Sequence, residues 1–209
     1  TLFTYLHLAG DVENAKRLID TGVTGIAYET VTADDGSMPL LAPMSTIAGQ
    51  LAVVVGSYHL LKQNNGKGVM IGKLDDIDPR IVTVIGAGVA GTQSISKAID
   101  NNAHVKVLDT SQSKLDELRL KFGSENIQYI LSHKDSVQDS INESDLVIGS
   151  VYVVGKEAPK VVTKEMLTSM SHGTVMVDVS IDQGGCFETS KPTTHDDPTF
   201  IENDIVHYC

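Results

Sequence analysis

Tryptophan is absent from this chain, aromatic residues make up only 5% of its 209 positions, and it has just two cysteines. Cys186 and Cys209 are too few for the disulfide framework of a small secreted domain. They also lack histidine or cysteine company at metal-ligand spacing, so both read as free thiols. Positive charge is scarce as well: 16 Lys and Arg stand against 27 Asp and Glu, for a net charge of −11 and a pI near 4.9. A surface of that sign repels phosphate backbones and anionic membranes. No basic cluster interleaved with aromatics occurs, which excludes nucleic acid as a partner. No apolar run approaches the roughly 18 residues of a membrane span, and no charged-then-apolar signal pattern opens the chain. These absences point to a cytoplasmic protein with no membrane partner. Low-complexity segments and internal repeats are missing too. The 41% hydrophobic and 21% charged fractions suit a folded protein, long enough for one large α/β domain or a medium domain plus a piece of another. The first residue is threonine and both ends lie in strand-like runs, so the expectation is an internal fragment.

The stretch IVTVIGAGVAGTQSISKAIDNNAHVKVLD, residues 81–109, reads as a complete strand, glycine turn, helix and second strand. Its opening apolar, β-branched run suits a parallel strand buried on both faces. Gly86, Gly88 and Gly91 follow as G-x-G-x-x-G. The first glycine permits a tight turn, the second lets backbone approach a pyrophosphate, and the third lets the helix pack on its strand. Amides at the helix start face the phosphates, where the helix dipole also favours negative charge. The second strand ends in Asp109, eighteen positions after Gly91. That is near the spacing of about 20 at which an acid accepts from the adenosine ribose of NAD and repels a 2′-phosphate. The cofactor expected is NAD.

In chain order, residues 1–30 read as strand, helix, strand: TLFTYLHLA, then DVENAKRLIDTG with Asp11 as N-cap, then VTGIAYET. Apolar spacing from Met44 to about Gln63 predicts a helix of roughly 30 Å, with Pro43 in its first turn. After Asp109 come helices over 111–122, 134–142 and 163–170, and strands over 127–131, 145–151, 174–179 and 205–208. Strands alternating with helices imply an α/β fold with a doubly wound parallel sheet of the Rossmann kind, order 3-2-1-4-5-6. The reading divides the chain into 1–42, a remnant α/β piece of a second domain; 43–63, a long helix joining two domains; and 64–209, the NAD-binding domain. The connection 180–204 is too long to be idle and is expected to line a site.

Several residues have two readings from sequence. His7, at the end of the first strand, is a satisfied structural residue or a catalytic group. Ser45 caps the long helix or faces a ligand, and Asp182 is a turn residue before Gly184 and Gly185 or a functional acid. His195, Asp196 and Asp197 are adjacent on a loop, an arrangement that rarely converges on one ion, so no metal is expected. No G-x-S-x-G nucleophile elbow occurs.

Taken together, LFTYLHLA at 2–9, GIAYETV at 25–31, PLLAPMSTIAGQ at 39–50, the glycine stretch, DLVIGSV at 145–151, APKVVTKEM at 158–166 and VDVSIDQGGCFETSKPTTHDDPTF at 177–200 resemble the alanine dehydrogenase and pyridine nucleotide transhydrogenase family. The sequences HLA and SIDQGG are similar to the dehydrogenase side. The resemblance implies NAD-dependent, reversible oxidative deamination of L-alanine to pyruvate and ammonia in a homo-oligomer, a hexamer. It makes His7 the acid/base and Asp182 the catalytic aspartate. It puts Ser45, Val89, Ala90, Lys114, Ser132, Val151, Tyr152, Val179, Ser180, Ile181 and Lys191 at cofactor contacts, Lys191 where some members have arginine. Arginine and lysine of the family that grip the pyruvate carboxylate would precede Thr1, so these 209 residues alone are expected to be inactive. The competing reading is a transhydrogenase-like NAD(H)-binding subunit that relays hydride without deamination.

Overall fold

The computed structural model describes residues 1–8, 11–153 and 157–209. Ala9, which ends the first of the family-like stretches, lies outside the described residues. Strand β1 (Leu2–Thr4), helix α1 (Val12–Asp20) and strand β2 (Gly25–Ala27) form a small unit in which β1 and β2 pair in parallel, Thr4 opposite Ala27. Helix α1 starts where the Asp11 carboxylate accepts the Asn14 N–H at 2.9 Å, satisfying one of the free amides of its first turn. Both strands are shorter than the sequence suggests. The backbone N–H groups of Leu6 and His7 turn to the Glu29 carboxylate instead of a neighbouring strand, and Tyr28–Thr30 closes into a 3-10 turn.

Helix α2 (Ala42–His59) follows, with Pro43 in its first turn, where a missing N–H costs nothing. It stops four residues short of the expected Gln63. The chain breaks into a 3-10 turn at Lys62–Asn64 and doubles back so tightly that a Cβ on Gly66 would lie 2.2 Å from the His59 carbonyl oxygen.

The remaining strands are β3 (Ile81–Ile85), β4 (His104–Asp109), β5 (Ile127–Leu131), β6 (Leu146–Gly149), β7 (Val175–Asp178), β8 (Thr199–Glu202) and β9 (Ile205–Tyr208). Helices α3 (Val89–Asp100), α4 (Gln112–Phe122) and α5 (Lys134–Asn142) link the first four of them. They form one sheet in the order β5-β4-β3-β6-β7-β9-β8, parallel except where β8 runs against β9. Six strands therefore follow the doubly wound 3-2-1-4-5-6 order. The seventh, β8, lies within the 180–204 connection, where the sequence predicts no strand. It reaches β9 through Asn203 and Asp204, both in the left-handed region at φ 51° and 61°, as a two-residue hairpin turn of the primed kind requires. The helix expected near 163–170 is a 3-10 turn, Glu165–Ser169.

Core residues cover both faces of this sheet, which is why its central strands β3, β6 and β7 read as nearly continuous apolar runs. Val82, Val84, Val105, Val107 and Ile148 pack on one side with Ile95 of α3 and Val53 of α2. On the other side Ile85, Leu108 and Val147 pack with Ile141 of α5 and Phe187. Helices α2 and α3 meet without intervening side chains, since a Cβ on Gly49 would fall 2.1 Å from the Ala90 carbonyl oxygen, and the Ser94 hydroxyl donates to the Gly49 carbonyl at 2.7 Å.

Candidate active site

Strand order reverses between β3 and β6, and the crevice outside the carboxyl ends of these strands is where open α/β sheets take ligands. The three glycines of the turn leading to α3 play different parts there. Gly86 has φ 101°, and a Cβ on it would lie 2.5 Å from the Ser150 carbonyl oxygen. A Cβ on Gly91 would lie 1.8 Å from the Gly86 carbonyl oxygen and 2.7 Å from the Ser150 hydroxyl. Backbone fills both places. Around Gly88, the N-cap of α3, nothing lies within 4 Å of where a Cβ would stand. This open space sits at the start of a twelve-residue helix, whose first amides, on Val89 and Ala90, have no acceptor within the helix. The geometry suits an anionic group such as a pyrophosphate.

Asp109 stands at the rim of this space and holds it together. One carboxylate oxygen accepts the Ala87 N–H at 2.7 Å, and the other accepts the Ser111 N–H at 2.8 Å. Its backbone carbonyl accepts from Ser132 N–H at 2.9 Å, while Lys114 is exposed in the first turn of α4. The acid expected only to meet a ribose thus also fastens the glycine turn. Each oxygen can accept two hydrogen bonds and here accepts one from the protein, so one lone pair on each is left for a ligand.

The segment after β7 carries Val179, Ser180 and Ile181 to Asp182 in the 3-10 turn Ile181–Gln183. Sequence reasoning missed what holds it. Asp178, 2% exposed, accepts from the N–H groups of Ser180 (3.0 Å), Cys186 (2.8 Å) and Phe187 (3.2 Å) and from the Ser190 hydroxyl (2.5 Å). A buried carboxylate is stable only when satisfied in this way. Lys160 adds a second clamp, donating to the carbonyls of Gly184 and, at 2.7 Å, Gly185. The available signal for Asp178 was an acid closing the apolar run VMVD. Asp182 itself reaches solvent, yet neighbouring protein strips enough hydration to raise its carboxyl above the ordinary value, while the charge of His7 draws it down.

His7 reaches the same edge from the small unit. It is half-buried, with φ 47°, and its N–H donates to Glu29 at 2.9 Å. Its ring lies parallel to that of Tyr5 at 5.8 Å, with the phenol oxygen 3.4 Å from Nδ1. Burial and the charges of Asp182 and Glu29 push the Tyr5 phenol up, so it stays protonated at neutral pH.

Of the other predicted contacts, Val151 packs half-buried at the end of β6, and the Tyr152 hydroxyl donates to the Met38 sulfur at 3.7 Å, tying that strand end to the approach to α2. Ser45 does not cap α2. Leu41 holds the N-cap position, and Ser45 sits one turn before the Gly49 contact with α3. Lys191 stands apart, its ammonium 4.2 Å from the Phe200 ring of β8. Among the described residues no cluster of three potential metal ligands occurs, His195, Asp196 and Asp197 included. Burial raises the Cys186 thiol well above its usual value and Cys209 to about 11, leaving both as inert thiols. A surface hollow of about 370 Å³ between Leu6, Leu8 and α1 has no acid or histidine in its wall.

Two family models match the chain: "Alanine dehydrogenase/PNT, N-terminal domain" over residues 1–48 and "Alanine dehydrogenase/PNT, C-terminal domain" over residues 52–209. Alanine dehydrogenase of Halomonas elongata is 48% identical over all of this chain and 56% of its own length. That of Mycolicibacterium smegmatis is 46% identical over the same shares. A solved L-alanine dehydrogenase superposes with a TM-score of 0.92 at 42% identity, covering 99% of this chain and 57% of the other. A transhydrogenase from Sinorhizobium meliloti gives 0.80 at 24%, covering 99% and 59%, a likeness of fold alone. The chain spans little more than half the length of the relatives it matches.

Proposed function

The chain belongs to the alanine dehydrogenase/PNT family, and from that premise we propose that it carries the NAD site and part of the substrate site of an alanine dehydrogenase. In the proposed reaction L-alanine, water and NAD⁺ give pyruvate, ammonium, NADH and a proton. The observation that carries the reading is the open space at Gly88, at the start of α3, between two glycines of the same turn whose Cβ positions are filled by backbone. The space fits a dinucleotide phosphate, with Asp109 on the rim for the ribose hydroxyls and against a 2′-phosphate. Bound there, NAD supplies the acceptor for the hydride of the alanine Cα.

The chain's own groups do the proton work. His7 takes a proton as water adds to the imino carbon and returns one as ammonia departs. Asp182 stabilises the cationic imine and the protonated His7 whose charge it feels. Residues 1–42 belong to the substrate side and 64–209 to the cofactor side, with the helix region 43–63 between them. The exposed stripe Ile47, Leu51, Val54 and Tyr58 on α2 recurs at helical spacing and is the face we assign to a homo-oligomer, a hexamer, in the cytoplasm.

Alanine-dependent NADH formation at alkaline pH, measured on the full-length protein that contains these residues, tests the reading. Activity should fall about 10²-fold or more in Asp182→Asn, the range for one preorganised electrostatic group. No NADH formation from alanine in the unmutated protein would sink the reading. A hydride-relay subunit needs no acid/base pair, and it would show hydride exchange between nucleotides in place of alanine turnover.

A further inference from the structure

We propose that Glu29 is the positioning residue of His7, an assignment that rests on reading His7 as the acid/base. The successive N–H groups of Leu6 and His7 converge on one carboxylate: His7 N–H at 2.9 Å and Leu6 N–H at 3.2 and 3.3 Å to its two oxygens. Adjacent amides that point the same way form an anion-binding concavity, and here the anion is a side chain of the protein itself. The arrangement depends on His7 adopting φ 47°, a left-handed conformation that side-chain-bearing residues rarely take. Such a conformation persists where surroundings over-determine it, and it collects at functional sites. Parallel pairing of β1 with β2 supplies the means, because Thr4 opposite Ala27 brings the two carboxyl ends side by side and Glu29 two residues beyond its strand. With the backbone so turned, the imidazole lies parallel to the Tyr5 ring, offset from it at 5.8 Å between centroids, and within electrostatic reach of Asp182. Without the carboxylate the two amides lose their acceptor, and His7 is free to relax toward an extended backbone that carries its ring elsewhere. Few apolar contacts oppose that movement, since no described residue of the small unit is buried.

The test compares the full-length protein with its Glu29→Ala and Glu29→Gln variants, each with isotopically labelled histidine and with His7 assigned by His7→Asn. Glu29→Ala should lower kcat for alanine about 10²-fold, the scale of a misplacement near 1 Å, while leaving NAD affinity within about twofold. In the same variant the His7 ring resonances should lose the upfield shift that stacking on Tyr5 imposes. Glu29→Gln keeps one acceptor oxygen and should recover part of both, and it decides the matter if Glu29→Ala does not fold. Unchanged His7 resonances in a folded variant overturn the proposal, whatever happens to kcat. Should the unmutated protein not oxidise alanine, the functional reading falls, while the ring resonances still decide whether Glu29 positions His7.

Discussion

The two-stranded unit and the seven-stranded sheet use the same device, a strand, a helix and a parallel strand, but only the sheet has a core. None of residues 1–8 or 11–48 is buried, and Val12 and Ile19 of α1 are 66% and 75% exposed. In the large sheet β6 and β7 are buried along their whole length. Two strands and one helix leave too little enclosed volume to dry an apolar face, whereas helices on both sides of seven strands do. The consequence reaches the site. Packing holds the glycine turn, through contacts in which backbone meets backbone. Hydrogen bonds to Glu29, made across an open surface, hold His7.

Two glycines, one in each region, test this contrast most strongly. In Gly91→Ala the new Cβ would meet the Gly86 carbonyl oxygen at 1.8 Å, and that oxygen belongs to a turn fixed by β3 and Ser150. We expect a loss of about 3 kcal/mol or more, and so a fall in Tm of roughly 6–12 °C for a chain of this size. In Gly25→Ala the nearest atoms are the methyl ends of Leu18 and Leu6 at 3.2 and 3.3 Å, which can turn aside. The expected change is below about 1 kcal/mol, of either sign. Thermal melts of the two variants check both figures, and equal losses would break the distinction between the regions.

The same contrast governs what was legible in the sequence. The central strands β3, β6 and β7 could be read because burial on both faces writes itself as an apolar run, and the glycine spacing because its geometry is local. Strand β8 was missed. It is a half-exposed edge, and its turn uses Asn203-Asp204 without a glycine. LFTYLHL reads as one strand by composition, but Glu29, 22 positions beyond His7, captures the amides that would have continued it. Asp178 is similar. Its partners lie 8 to 12 positions on, at Cys186, Phe187 and Ser190, and no local pattern announces them. Residue types at the candidate site were readable, but not the carboxylates that hold them.

Gly88 is the exception inside the packed region, and it sharpens the comparison at an intermediate size. Gly88→Val puts a side chain into open space, so Tm should move by no more than the equivalent of about 1 kcal/mol, while NAD affinity falls about 10²-fold, near 2.7 kcal/mol. Asp109→Ala should behave in the opposite sense. The NAD preference over NADP narrows about tenfold, and loss of the acceptor for Ala87 and Ser111 costs about 1–2 kcal/mol of stability. Calorimetric titration with each nucleotide, beside a melt of each variant, separates the two effects. A Gly88→Val protein with undiminished NAD affinity would move the phosphate site away from this turn.

The smallest expected effect concerns acid, and it again falls on the large sheet. His59 and His207 lie in its core, and burial lowers the pKa of each below the ordinary 6.5. His207 is satisfied, with Thr189 at Nε2 (2.8 Å) and the Ile205 carbonyl at Nδ1 (3.1 Å). His59 Nδ1 is buried with no hydrogen-bond partner among the described residues, its ring between Tyr58 and Tyr208. The unfolded chain binds protons at both histidines before the folded one does. Stability is therefore fully present above pH about 6.5 and is lost as pH falls from there through the lower folded values. His59→Phe removes a titrating group and an unpaired nitrogen together, which should raise stability by about 1 kcal/mol near pH 5 and less near pH 8. His207→Phe removes the same acid sensitivity but also two hydrogen bonds, so it should lower stability by about 1 kcal/mol at pH 8, where the neutral ring is intact. Denaturant melts of the three proteins at the two pH values give the four differences. If neither His59→Phe nor His207→Phe reduced the acid loss of the parent, that loss would have to come from outside the core, and the small unit would be where to look.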